Sequence, residues 1–498
     1  MLFNSTQFLI FLPIVVLIYF IIPNKIKYLW LLVASYYFYM CWNAKYAVLI
    51  LFSTVITYLS GICIEKVKNS NLDPSKLIRA KKLIVFASFF LNLSVLFYFK
   101  YSNFTLETIE KLLTIANIQL VVPRFDVLLP VGISFYTFQA LGYTMDVYRD
   151  EIKAEVNFFR YALFVSFFPQ LVAGPIERSK DLLTQLAKPA RFNYNAARKG
   201  ILLMLWGFFL KIVIADRIGI FVDTVYGDYV TYPGAYLAVA SLLFAIQIYC
   251  DFYGYSTIAV GTAQILGIQL RDNFNAPYLS TSVQEFWGKW HISLTSWFKD
   301  YLYIPLGGSR KGTTRKYINK MIVFLTSGLW HGAATTFIAW GALNGIFQIV
   351  GEAIQPLRDK VVSVLCLDRN TLAHKITKGI ITFILVDLTW IFFRAQGMGD
   401  AAAIFSSIFT TFNPWILFDG SLYTCGVDSK NFILLMICIL VLLFADIAKR
   451  RQIKVHEVIL KQDCWFRIIF VVFAVCFIML FGVWGPSFDS ANFIYFQF

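Results

Sequence analysis

The chain has 498 residues, 58% of them hydrophobic and 15% charged, with a mean hydropathy of +0.66. Ordinary soluble proteins carry about 25% charged residues, so this composition excludes water as the main solvent of the fold. The formal charge of +15 falls in short Lys/Arg clusters between apolar runs, with no helix-turn-helix or finger spacing, which argues against a nucleic-acid partner and for loops obeying the positive-inside rule.

In chain order, apolar runs able to cross a hydrocarbon core of about 30 Å are expected at 6–22, 28–42, 47–64, 83–99, 128–145, 200–215, 235–255, 321–336, 338–350, 380–393, 432–447 and 466–483. These roughly twelve crossings predict an all-α, polytopic transmembrane protein whose residues 1–498 form a single membrane-embedded domain in a plasma membrane. Lys25 and Lys27 follow the first run instead of preceding it, the reverse of a cleavable signal peptide, so the first helix is expected to be retained with its N-terminus outside. That orientation puts Lys66, Lys68, Lys76, Arg79, Lys81 and Lys82, and later Lys449, Arg450, Arg451 and Lys454, on the cytoplasmic face. Asp223, Asp228 and the terminal 493–498 then fall outside. Fifty Phe and 27 Tyr suit a lipid-facing surface with aromatic belts.

Two stretches, 148–199 and 256–320, mix aromatics, prolines, glycines and charges at a density that lipid does not tolerate. Polar backbone at membrane depth must be shielded by protein or line a wet cavity. Both are therefore expected to be re-entrant or amphipathic segments that build the site.

The chemistry-bearing residues are few. Eight cysteines show no Cys-x-x-Cys or Cys/His metal spacing, so neither a disulfide framework nor a metal site is indicated. Of four histidines, His291 and His331 sit in the most aromatic part of the chain. An imidazole titrates near pH 6.5 and can take a hydroxyl proton at neutral pH. His331 interrupts an apolar run, where an ionisable group is expensive and a functional role is the default hypothesis; a hydrogen-bonded packing residue is the alternative. Gly328 and Gly332 beside it permit close approach of a substrate or of another backbone. His291 shares near-helical spacing with Trp287, Trp290 and Trp297, which equally describes an interfacial aromatic stripe. Asp251 and Asp300, the carboxylates nearest the apolar core, could orient a histidine, contact a substrate or satisfy a neighbouring helix. The run from Gly307 to Thr314 lacks the lysine a phosphate loop needs after its last glycine, and its basic residues read as a cytoplasmic loop against anionic lipid. No Gly-x-Ser-x-Gly or His-Glu-x-x-His motif occurs.

Trp290-His291 in an amphipathic segment and Trp330-His331-Gly332 forty residues on resemble the signature of the membrane-bound O-acyltransferase (MBOAT) family. The resemblance extends to 132–139, 168–176, Asp251-Phe252-Tyr253-Gly254-Tyr255-Ser256, Asn275-Ala276-Pro277-Tyr278 and 300–308, which are similar to the bacterial polysaccharide-modifying branch. Segments 389–395 and 493–498 favour its alginate-type O-acetylation proteins over the usually shorter teichoic-acid D-alanyl transferases. The resemblance implies a ring of helices around a thin central region with opposed funnels, His331 as the essential catalytic histidine and His291 as a second one. Trp330, Trp287, Trp290, Tyr253, Asp251 and Asp300 are the expected substrate contacts. It also implies an acyl thioester donor (acetyl-CoA or an acyl-carrier thioester) with no tightly bound cofactor, an extracytoplasmic SGNH-type partner, and acetyl transfer toward a surface polysaccharide. A polytopic transporter and a scaffold for a separate transferase are the rival classes.

Overall fold

The computed structural model describes residues 1–118, 123–125, 129–484 and 494, which contain helices, turns and coil and no strand. The chain forms two compact units, one of 1–201 with 259–271, the other of 202–258 with 272–498.

The first unit holds α1 (Thr6–Ile21), α2 (Lys27–Met40), α3 (Ala47–Lys68), α4 (Pro74–Leu96), α5 (Ser102–Ile115), α6 (Ile133–Tyr148), α7 (Phe158–Ser166), α8 (Phe168–Leu171), α9 (Ser179–Leu186) and the start of α10 (Tyr194–Phe208). Its centre is α3, which packs on α4 and α6. The buried face of α3 is small and polar, with Ser53, Thr54, Thr57, Ser60 and Gly61 at helical spacing. Such residues let backbones approach and join helices by hydrogen bonds where lipid offers no hydrophobic drive. Ser53 donates to Asn92 Oδ1 at 2.6 Å, the Tyr161 hydroxyl donates to Thr57 at 2.7 Å, and a Cβ on Gly61 would lie 2.6 Å from the Tyr143 hydroxyl. The opposite side of α4 exposes Leu83, Phe86 and Phe90, as a lipid-facing helix requires.

The second unit holds the rest of α10, α11 (Asp216–Gly227), most of α12 (Ala235–Ile265), α13 (Val283–Lys289), α14 (Ile292–Phe298), α15 (Thr313–His331), α16 (Thr335–Ala353), α17 (Gln355–Val364), α18 (Leu372–Arg394), α19 (Met398–Thr410), α20 (Ser429–Arg450), α21 (Val455–Leu460) and α22 (Cys464–Phe481). Among the described residues three π-helical turns interrupt the regular ladder, Phe97–Tyr101 in the first unit and Phe209–Ala215 and Lys299–Tyr303 in the second.

Most runs expected to cross the membrane fall on helices, but the run expected at 321–336 passes through the turn at 332–334 that separates the end of α15 at His331 from the start of α16 at Thr335. Among the described residues, six continuous helices are long and apolar enough to span by length and composition: 44–68, 74–115, α12, α18, α20 and α22. The pair α16 and α17 qualifies as a seventh only if it counts as one span bent by 50°. The run expected at 128–145 begins outside the described residues, and from Ile133 it is α6, buried along nearly its whole length. The irregular stretch expected from Ser256 starts later, because α12 continues to Ile265. The window of α12 that qualifies as a span is 67% buried, so its polar residues face protein, and Thr257 returns its hydroxyl to the Tyr253 carbonyl at 2.7 Å. The apolar α19 had no counterpart among the expected segments.

Candidate active site

All the residues of this site belong to the second unit. His331 is the last residue of α15, and its position follows from how closely α16 returns. A Cβ on Gly328 would sit 2.3 Å from the Phe337 carbonyl oxygen, and one on Gly341 would sit 2.4 Å from that of Phe324. Between the helices, a Cβ on Gly332 would meet the Phe337 ring at 2.1 Å. Only glycine allows this approach at these positions, and the resulting hairpin places His331 against α16 and α18. Its imidazole is 5% exposed and stands edge-on to Trp340, with centroids 5.1 Å apart, and to Phe393 at 5.5 Å. Trp330 is at 4.9 Å.

His291 sits between α13 and α14 with φ 44° and ψ 54°, a left-handed conformation that costs a non-glycine residue energy unless its surroundings enforce it. Here Asn273 enforces it. The Asn273 carbonyl accepts the Ile292 N–H at 2.9 Å, its side-chain oxygen accepts the Ser293 N–H at 3.3 Å, and its amide donates to Ser256 on α12 at 3.1 Å. The Asn275 N–H adds a bond to the Lys289 carbonyl at 3.0 Å. The His291 imidazole is 1% exposed, edge-on to Phe252 at 4.6 Å and 6.0 Å from Trp330. Trp330 is thus the ring both histidines share.

The other expected site residues divide. Trp287 packs on Trp340 at 5.5 Å and donates its indole N–H to Asn344 at 3.1 Å, which puts it one ring away from His331. Trp290 lies against Trp390 at 5.2 Å, and Trp390 stacks on Trp340 at 5.8 Å. Tyr253 stacks on Tyr249 at 5.3 Å, and the Lys449 ammonium reaches its hydroxyl at 3.3 Å while bonding the Phe274 carbonyl at 2.6 Å. Asp251, although next to Phe252 in sequence, is committed elsewhere: Lys211 approaches it at 2.6 Å and Asp216 at 2.8 Å, and Asp251 also accepts the Ile494 N–H at 2.8 Å. A π-helical turn brings residues five apart to one face, which is how Lys211 meets Asp216. Asp300 is half-buried on the π-helical turn that follows α14.

Sequence reasoning missed Phe252, Trp340 and Phe393, which wall the histidines, Trp390, which packs behind Trp340 and Phe393, and Asn273, which holds one of the histidines. Phe252 and Asn273 each lay within or beside a segment already singled out. Trp390 and Phe393 lay in the singled-out segment 389–395 without being assigned a place in the site, and Trp340 comes from α16, which read only as an apolar run. Two imidazoles fixed in an aromatic, water-poor setting can accept a hydroxyl proton or orient a reacting group.

The model of the membrane-bound O-acyltransferase family, MBOAT, matches residues 147–376, which contain both histidines. A protein of Pseudomonas putida named "Probable alginate O-acetylase AlgI" is 36% identical over 84% of this chain and 82% of its own length. A "Peptidoglycan O-acetyltransferase" of Helicobacter pylori is 34% identical over 81% of this chain and 79% of its own. A "Teichoic acid D-alanyltransferase" of Streptococcus thermophilus is similar over less, at 27% identity across 45% of this chain and 57% of its own. Relatives this similar over four-fifths of both lengths, with a family match spanning the paired histidines, establish that this multi-pass membrane protein belongs to the membrane-bound O-acyltransferase family and is an O-acyltransferase.

Proposed function

We propose that the chain transfers an acetyl group from a cytoplasmic thioester toward O-acetylation of an extracytoplasmic polysaccharide, with His331 as general base. The placement of His331 and His291 in contact with one ring, Trp330, both buried among aromatic side chains, is the observation that carries this reading. His331 takes the proton of an acceptor hydroxyl as the hydroxyl oxygen attacks the thioester carbonyl. The tetrahedral intermediate then collapses, the C–S bond breaks, and the departing thiolate receives the proton. His291 positions the donor or acceptor, and Trp330, Trp287, Trp290, Tyr253 and Asp300 shape the path. Asp251 acts through its ion pair with Lys211 to hold α12 in place. Enclosure keeps water from the thioester, and holding both reactants close supplies the proximity such a transfer needs.

The donor is acetyl-CoA or a carrier-protein thioester. The acceptor is the glycan or a residue of an extracytoplasmic SGNH-type partner that completes the transfer. The inner, plasma membrane of a bacterium is the setting, with the N-terminus outside. The names of the alginate and peptidoglycan relatives support acetyl transfer to a polysaccharide, and the shorter match to the D-alanyltransferase gives D-alanyl transfer less support.

The test supplies membranes containing wild-type, His331→Ala or His291→Ala protein at matched expression with a radiolabelled acetyl thioester, and follows label into polysaccharide or a co-expressed partner. Loss of label with His331→Ala, and impairment with His291→Ala, are expected. Equal labelling by wild type and His331→Ala would move the chemistry to another protein and favour the scaffold or transporter readings.

A further inference from the structure

The first unit contains a cavity of about 240 Å³ that the acyl-transfer reading does not use. Lys25 lines it from the turn between α1 and α2, Lys27 from the start of α2, Arg160 from α7, and Lys188 from the segment after α9, with Tyr19 and Tyr28 beside them. Four cations thus converge on one small space. Arg160 is already engaged, since Glu155 binds it at 3.2 Å through both carboxylate oxygens. The three lysines are not: among the described residues no carboxylate lies within ion-pair distance of Lys25, Lys27 or Lys188. Lys27 is the telling one, because it is only 6% exposed, and among the described residues its ammonium has a single hydrogen bond, to the Ala190 carbonyl at 2.9 Å, and the faces of Tyr19 and Phe20. An ammonium has three donors, and a buried charge is normally paired. Lys27 is also the first residue of the 14-residue α2, so the positive end of that helix dipole adds to the lysine charges.

We propose that this cavity binds a phosphate group, held by Lys27 from within and by Lys25 and Lys188 at the rim. Its volume lies below the roughly 300–1,000 Å³ of pockets that take drug-sized ligands, so it accommodates a headgroup-sized phosphate and not an entire nucleotide thioester. The phosphate can come from an anionic phospholipid, with acyl chains outside the cavity, or from a small soluble phosphate. Lysine ammonium groups suit either source.

The test uses the full-length chain purified in detergent. Binding is read by native mass spectrometry and thermal melting with added phosphatidylglycerol, phosphatidylcholine or inorganic pyrophosphate, for wild type, Lys25→Gln/Lys188→Gln and Lys27→Met. Retention of phosphatidylglycerol but not phosphatidylcholine, weakened about tenfold by the double substitution, assigns the site to anionic lipid. The same pattern with pyrophosphate alone assigns it to a soluble phosphate. The rim lysines are exposed, so their double variant keeps the test open if Lys27→Met does not fold. Binding of neither phosphate by wild type, or equal binding by wild type and the folded double variant, overturns the proposal.

Discussion

Asn273 uses both its backbone carbonyl and its side chain to hold the turn at His291, and it is itself tied to Ser256. Replacing it with alanine removes the side-chain acceptor and the donor, so the left-handed turn loses its enforcement at a cost of about 1–3 kcal/mol. We expect Asn273→Ala to fold, to melt several degrees lower and to lose much of its acetyl transfer. Retained activity in membranes at wild-type level would show that the turn is held by packing alone. The histidines themselves were legible in the sequence, because each stands in a Trp-His pair, His291 inside a stretch too polar for lipid and His331 interrupting an apolar run, where an ionisable group is expensive. Asn273 was not, because its partners are backbone groups some twenty residues on in sequence, and nothing in its type or spacing announces that contact. Asp251 was legible as a buried carboxylate, but its commitment to Lys211 depends on a π-helical turn that no periodicity reveals.

At the scale of elements, the glycines of α15 and α16 set where His331 stands. Gly328→Ala would place a methyl group 2.3 Å from a backbone carbonyl, a contact that only helix displacement relieves. Overpacking of this kind costs about 1–3 kcal/mol. The variant is expected to melt lower in detergent and to transfer acetyl poorly even though every site side chain remains. Wild-type transfer at wild-type stability would mean that the hairpin tolerates separation. Hydropathy located the helices well wherever one face meets lipid, as in α3, α4, α18, α20 and α22. It misjudged α6 and the far end of α12, because a helix surrounded by protein can carry threonine, serine and tyrosine on every side without penalty, provided each polar group finds a partner.

For the molecule as a whole, stability in detergent should carry a signature from Glu177, which lies in the loop before α9, outside the spans. Burial pushes its carboxyl up to about 7, against the opposing pull of the Arg271 N–H at 2.7 Å and the Arg271 charge. A carboxyl whose folded pKa is raised binds more protons folded than unfolded, so its contribution falls as pH rises from about 4.5 to about 7. Glu177→Gln keeps an acceptor for the Arg271 N–H and removes the titration. Melting temperatures from pH 5 to 8 should therefore fall less steeply in the variant, and parallel curves would assign the pH dependence to other groups. The last helix belongs to the same scale. The window of α22 that qualifies as a span is 6% buried, and its end is held by the Arg217 guanidinium on the Phe481 carbonyl at 2.7 Å and by Val483 on Ile212 at 3.1 Å. Its 18 residues reach about 27 Å, slightly less than a hydrocarbon core of about 30 Å. A rod pinned at one tip, little covered by protein and slightly shorter than the hydrocarbon it crosses pulls the bilayer thinner around itself, so the protein shapes the membrane at this edge.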